Sequence, residues 1–327
     1  MWTRRRIVIA AAAVVIVAGL VAGLLIALNR GQPARMVSAP PPKAQLRSPF
    51  TGEPVRALNR VLAVKIDNIV NARPQTGLRD ADIVYVQPVE GGLSRFLAIF
   101  SSHFPPAIGP VRSAREQDLE VLRQFGRPAF AYSGATATLL PYIHRRARIV
   151  DLYNGITSGY YRSTSRSAPY NLYARTARLL EQAKDASIAH DIGFRFGTPP
   201  PGGKATGSAS AAYPAASFRF TWSAGKQRWL VSMDGKPAMT TGGGRMSAAT
   251  VVIQHTTVRT SRFLEYGKRP PYADSTGSGT ALVLRNGEEW TTHWSRPSAN
   301  GGTTFTTASG QRMTFAEGPV WVVLISR

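Results

Sequence analysis

Cysteine is absent from the 327-residue chain. This excludes disulfides, thiol nucleophiles, cysteine-held metals and any lipid anchor attached through a cysteine. Acidic residues are scarce: 18 Asp and Glu stand against 40 Lys and Arg, a formal charge of +22. The five histidines, His103, His144, His190, His255 and His293, show neither H-x-x-x-H nor H-E-x-x-H spacing, so no metal site is expected. No P-loop or G-x-G-x-x-G occurs, and Ser133 in "YSGA" lacks the G-x-S-x-G context of a nucleophile elbow. No cofactor is expected. No internal repeat is evident.

What is present has ordinary globular proportions, 43% hydrophobic and 18% charged. The length suits about two domains of ~100–200 residues. Residues 1–30 stand apart. "MWTRRR" is basic, and Ile7 to Leu28 carries no charge. A helix over that stretch rises ~33 Å at ~1.5 Å per residue, enough for a ~30 Å hydrocarbon core. The arginines before it predict a cytoplasmic N-terminus and a single-pass anchor in the cell membrane, with the bulk of the chain extracytoplasmic. A cleaved signal peptide is the alternative; its apolar region is usually shorter, ~7–15 residues. Gly19 and Gly23 form a weak G-x-x-x-G contact signal.

Residues 1–30 hold four arginines and no carboxylate, so +18 of the charge lies in the remainder. Outside a membrane, such a surface meets anionic wall polymers or lipid headgroups rather than nucleic acid. A high-GC coding bias, which favours arginine over lysine, is the competing explanation.

Residues 31–48 are a Pro/Ala-rich spacer. Residues 49–196 mix strand patterns ("RVLAVKID", "ADIVYVQPV", "SRFLAIFSS", "RPAFAYSG") with helical ones ("SAREQDLEVLRQF", "NLYARTARLLEQAKDASI"). Residues 197–217, rich in Pro, Gly, Ser and Ala, are expected to be a linker or long exposed loop. Residues 218–327 read mostly as strand, with a hairpin signal at Asn286-Gly287. The expected fold is an α/β or α+β N-terminal domain followed by a small, mainly antiparallel β domain, behind one N-terminal transmembrane helix. The tryptophans of the second region, Trp222, Trp229, Trp290, Trp294 and Trp321, fall on strand patterns and are expected in the core.

Several long motifs carry a resemblance. "IDN", "NARPQTGLRDADIVYVQPVEGGLSR", "IGPVRSAR", "YYRSTSRSAPYNLYAR", "GTALVLRNGEEWTTHWSR" and "GPVWVVL" together resemble the YerB-like family of bacterial envelope proteins. The resemblance covers residues 48–327. It implies two domains outside a membrane and a tether to it, and no established activity. Two positions depart from the family pattern: Tyr170 stands where histidine is frequent, and Val86 where glutamate is frequent. A third departure is the apolar helix in place of a lipidated cysteine.

Five segments carry polar residues that packing does not demand: "KIDN", "NARPQ", "VEGGLSR", "GPVRSAR" and "RSAPYN". If the "KID" and "IVYV" strands share a sheet, their ends converge on one edge, where ligands often bind. Asp67 and Glu90 are the candidate acid/base pair. Lys65, Asn68, Arg73, Arg95, Arg112, Arg115, Arg166 and Asn171 are the candidate ligand-binding residues, because arginine forks grip carboxylate or phosphate. Ser113 and Glu116 have S-x-x-E spacing, which predicts a helix capped at Ser113 with Arg115 in its first turn. Cations beside a helix start need an anion between them. Asp67 and Glu90 could supply it internally, or a ligand could. The first function class is a tethered binding or scaffold module for an anionic envelope component; the second is an envelope hydrolase acting on wall glycan or a phosphodiester.

Overall fold

Every residue of Leu62–Asp67 (β1), Ile83–Pro88 (β2) and Ser94–Phe100 (β3) is buried, which is why they read as apolar runs without alternation, broken only by Lys65, Asp67, Gln87, Ser94 and Arg95. A sheet covered on both faces has no solvent side to mark by alternation. The computed structural model describes residues 45–265 and 267–327. The apolar segment 7–28 lies outside them, and among the described residues no helix is long and apolar enough to cross a membrane. Gln45–Arg327 forms one compact unit.

The remaining strands of the main sheet are Ala129–Tyr132 (β4), Val150–Tyr153 (β5), Lys204–Ala205 (β6), Thr250–Thr256 (β7), Gly277–Arg285 (β8), Glu288–Arg296 (β9), Thr304–Thr307 (β10) and Val320–Ser326 (β11). Their order is β10-β9-β8-β7-β11-β2-β3-β1-β4-β5, with β6 also paired to β9. All strands on one side of the β11–β2 junction come from residues 62–153, and all on the other from residues 204–326. That junction is parallel and four residues long, from Ile83 opposite Val320 to Val86 opposite Val323.

The two faces have separate cores. Val64, Ile66, Val84, Val86, Phe96 and Val323 pack with Phe218, Phe220, Trp229 and Val231 of a second, five-stranded sheet. Ala63, Ile83, Leu97, Ile99, Val320 and Val322 pack with Val121, Leu122 and Phe125 on the opposite face. Three short α-helices occur among the described residues: Glu116–Leu122 (α1), Leu139–Arg146 (α2) and Thr176–Gln182 (α3). The chain is therefore mostly β.

The structure corrects several expectations. Residues 197–217 are not a loop throughout: they contain β6 and the strand Ser208–Tyr213, which pairs with Ala216–Ser223. Only Ala211 of this strand is buried, and a strand of Ala and Ser gives almost no apolar signal. The second region is mainly antiparallel, as expected, but β11 pairs in parallel with both β7 and β2. The helix expected from Asn171 begins only at Thr176; Leu172–Arg175 is a strand between Ala107–Ile108 and Tyr160–Arg162. The Asn286-Gly287 turn forms as read, both residues having positive φ between β8 and β9. Trp229, Trp290, Trp294 and Trp321 are buried, and Trp222 is half-buried.

Asp82, just before β2, is buried, and its carboxylate accepts from the Ser101 and Ser102 amides at 2.5 and 2.9 Å. Burial outweighs those hydrogen bonds and pushes its pKa up to about 6. A raised folded pKa favours the native state below the unfolded value and loses that advantage as pH rises through the folded one. Asp82→Asn keeps an acceptor for both amides and carries no charge. Melts of the two proteins from pH 4 to pH 7 should show the variant gaining on the parent by about 2–3 kcal/mol, at ~1.4 kcal/mol per pKa unit. A constant difference would show that burial of the charge costs nothing there.

Candidate anion site at the strand ends

The site lies where β1 ends and β3 begins. Asp67 and Arg95 are register partners on the face that also carries Lys65 and Leu97. Beyond β4, the chain at Pro110–Arg112 takes over as the neighbour of β1: the Asp67 amide donates to Pro110 O at 3.0 Å, and the Arg112 amide donates to Lys65 O at 2.8 Å. On its other side this segment packs against Leu172–Tyr173, which requires Gly109: a Cβ there would stand 2.7 Å from the Tyr173 ring. On the other side, β2 turns into β3 through Glu90–Gly92. Gly91 and Gly92 have φ near 70°, and a Cβ on Gly92 would stand 2.7 Å from Pro214. The Gly-rich turn is thus needed for conformation and for contact with the second sheet.

Between these segments is a cavity of about 290 Å³ lined by Asp67, Glu90, Ser94, Arg95, Arg112, Ser113, Arg115, Tyr170 and Glu265, with Ile69, Val89 and Leu93. Five expected site residues therefore meet: Asp67, Glu90, Arg95, Arg112 and Arg115. Three arginines face three carboxylates.

The arginines are not equivalent. The Arg115 guanidinium is almost wholly buried and saturated: Nε and Nη2 donate to the two Glu90 oxygens at 2.6 and 3.0 Å, Nη2 also to Glu265 at 3.2 Å, and Nη1 to Ala114 O at 2.9 Å. Arg95 donates Nη1 to Ser113 O at 3.1 Å, and its Nε lies 3.9 Å from Asp67 without a hydrogen bond. Burial, with Arg115 nearby and Arg112 beyond, draws its pKa down to about 10, so it stays charged at neutral pH. Arg112 is 2.9 Å from Asp67 through Nε and stands 5.7 Å from the Tyr170 ring, yet its guanidinium makes no hydrogen bond among the described residues. Its side chain is 25% exposed. Glu90 is pushed up by burial but held lower overall by the Arg115 fork, so it is ionised at neutral pH.

The other expected site residues lie outside the cavity. Lys65 is fully buried beneath it, donating to Asp118 at 2.7 Å and Gln87 at 2.6 Å. Burial brings its pKa down to about 8 despite Asp118. Asn68 donates to Ser94 Oγ at 2.9 Å and supports the wall from behind. Arg73 holds the Asn68 carbonyl and pairs with Asp234 of the second sheet at 2.8 Å. Arg166 ties the Ala72 and Pro74 carbonyls, each at 2.6 Å. Asn171 accepts from Arg162 and donates to Ser163 O. These four brace loops.

The expected Ser113–Glu116 capping box does not form. α1 begins at Glu116 with Arg115 as its N-cap, and Asp118 reaches back to the Arg115 amide at 2.7 Å. Glu116 is drawn away by Ser261 at 2.6 Å, the Arg262 amide at 3.0 Å and the Arg262 guanidinium at 2.5 Å. The same excursion of the chain, between Val258–Thr260 and Pro271–Ala273, delivers Glu265, which sequence reasoning missed. Its one signal is isolation: it is the sole acid in the run "SRFLEYGKRP". Among the described residues no group of three or more His, Asp or Glu is placed to hold a metal.

A mixed sheet assembled from two sequence regions, with an arginine–carboxylate cavity at its strand ends, defines a two-part, β-rich class of protein. The family described as "Protein of unknown function (DUF3048)" matches through its N-terminal domain over residues 50–189 and its C-terminal domain over residues 209–322. The chain belongs to this two-domain, YerB-like family. The putative lipoprotein YerB of Bacillus subtilis (strain 168) is 35% identical over 142 residues, 42% of this chain and 42% of that protein. The matched stretch thus spans about two fifths of that relative's length. The crystal structure of YerB from Bacillus subtilis superposes with a TM-score of 0.74 at 22% identity, covering 86% of this chain and 97% of that one. That likeness establishes a shared fold.

The contrast between the arginines is measurable. Arg115→Ala leaves Glu90 and Glu265 without their cation and should cost about 2–4 kcal/mol, somewhat under the ~3–5 of a fully buried pair because Glu90 is partly solvated. Arg112→Ala removes one half-open ion contact and should cost about 1 kcal/mol or less. Chemical denaturation of both variants checks this; equal losses would contradict the division.

Proposed function

We propose that the cavity binds one small monoanionic group, a carboxylate or phosphodiester of an anionic envelope component. The observation that carries this reading is the Arg112 guanidinium, which lines the cavity one-quarter exposed, meets Asp67 through its buried Nε and has no hydrogen-bond partner at either Nη among the described residues, with Arg95 beside it. A bidentate oxyanion uses such donors without rearranging the Arg115 network. The formal charge of the lining is balanced, which favours a single negative charge over a multiply charged one. The hydrolase alternative has less support: a general acid must hold a proton near the working pH, and Glu90 is kept ionised by Arg115.

The remaining basic surface would gather wall polymers or lipid headgroups in a salt-sensitive way, since exposed charges are screened over ~8 Å at physiological ionic strength. Residues 7–28 would hold the chain in the membrane as a single-pass anchor. The uncharged run itself supports this, as does the description of YerB as a putative lipoprotein, a protein tethered by other means.

Thermal melts of the full chain in zwitterionic nanodiscs test the site. Dimethyl phosphate or acetate at ~100 times its Kd should stabilise the parent by about 2.7 kcal/mol. Arg112→Ala should abolish that increment while remaining folded. A parent indifferent to both anions would overturn the reading. For the anchor, intact mass of membrane-extracted protein should include residues 1–30; a mature N-terminus near Gln32 would refute it.

A further inference from the structure

The sheet opens beside the anion site. β2 and β11 pair only as far as Val86 opposite Val323. Beyond that point each keeps its outer neighbour: β2 stays with β3 to Pro88 opposite Ser94, and β11 stays with β7 to Ser326 opposite Thr256. The two parallel strands therefore fork at their C-terminal ends. The Tyr213 hydroxyl sits in the crotch, 3.1 Å from the Val86 carbonyl and 2.8 Å from that of Leu324. A fork at the C-terminal ends of parallel strands is where open sheets place ligands.

A cavity of about 850 Å³ occupies this fork. Val89, Gly92, Ala212, Pro214, Val258 and Pro271 give it an apolar lining, and Lys268 and Arg269 stand at its wall. It shares Val89, Glu90 and Glu265 with the anion cavity, so the two are contiguous. The carboxylates on that shared wall are both turned to Arg115, so neither is left unpaired beside an apolar chain. The volume lies in the ~300–1,000 Å³ range of ligand pockets, while the anion cavity alone holds little more than a headgroup.

We propose that the fork is the tail groove of the anion site, and that the ligand is a single-chain amphiphile. Its anionic head meets Arg112 and Arg95, and its hydrocarbon chain lies between β2 and β11 on the Gly92–Pro214 floor. This rests on the anion-site reading and adds the ligand's second half.

Calorimetric titration of the full chain in zwitterionic nanodiscs, with empty nanodiscs as reference, tests it without mutation. The probes, at about pH 5.5 so that each phosphate is mostly singly charged, are dimethyl phosphate, then butyl, hexyl and octyl phosphate, and the matching carboxylates from acetate to octanoate. Buried methylenes strengthen binding by about fourfold each, so octyl phosphate should bind ~10-fold tighter than butyl phosphate if only two of its four extra methylenes are buried, and ~200-fold if all are. Ala212→Trp, which fills the groove from a partly exposed strand position, should flatten that slope. A flat slope in the parent for both series, with Arg112-dependent binding of dimethyl phosphate intact, would overturn the groove and leave the anion site standing. Loss of binding by every short anion would overturn both. Octanol binding as tightly as octyl phosphate would separate the groove from the head site and also refute the proposal.

Discussion

Four residue pairs, from Ile83–Val320 to Val86–Val323, hold the two sequence regions in one sheet. The candidate site is arranged around that short parallel junction. Because β2 is fixed at one side of it, the Glu90–Gly92 turn projects toward the second sheet, and Gly92 can meet Pro214. Because β11 is fixed at the other, its partner β7 leads into the Val258–Ala273 excursion that brings Glu265 to Arg115 and Ser261 to Glu116. The cavity is thus built by both family domains, and neither region alone carries all of its charged lining.

Electrostatics inside the site follow from burial. A buried guanidinium must be paired, and Arg115 is paired twice. The Lys65–Asp118 pair beneath does the same for the floor, with Gln87 as a third partner. Once these are satisfied, Arg112 is the least constrained cation of the cluster. Internal neutralisation therefore falls to Arg115, and the donors left over in the same motif are those of Arg112, on which the proposed binding rests.

The sequence was legible where chemistry is local. β1 to β4 were evident from buried β-branched and aromatic runs, and the Asn286-Gly287 turn from its need for positive φ. "KIDN", "VEGG" and "GPVRSAR" were correctly grouped at one sheet edge, because polar residues at the ends of apolar strands have few other places to be. Long-range competition defeated the rest. Glu116 has perfect capping-box spacing, but Ser261 and Arg262, some 145 residues away, offer it stronger partners. Arg73 and Arg166 look like ligand forks in sequence, yet uncovered backbone carbonyls and Asp234 claim them. Ser208–Tyr213 escaped because Ala and Ser satisfy a strand's backbone without advertising it.

The position of β11 also bears on how the molecule is made. It is the last strand in chain order, yet it sits in the middle of the sheet, between β7 and β2. Until it arrives, two half-sheets each expose an unpaired inner edge, and such edges recruit other chains. Contacts separated by more than two hundred residues are slow to close. Synthesis therefore leaves the first half-sheet waiting, with β2 open, for a segment translated more than two hundred residues later. A chain assembled in this order benefits from being kept apart from its copies until β11 is in place.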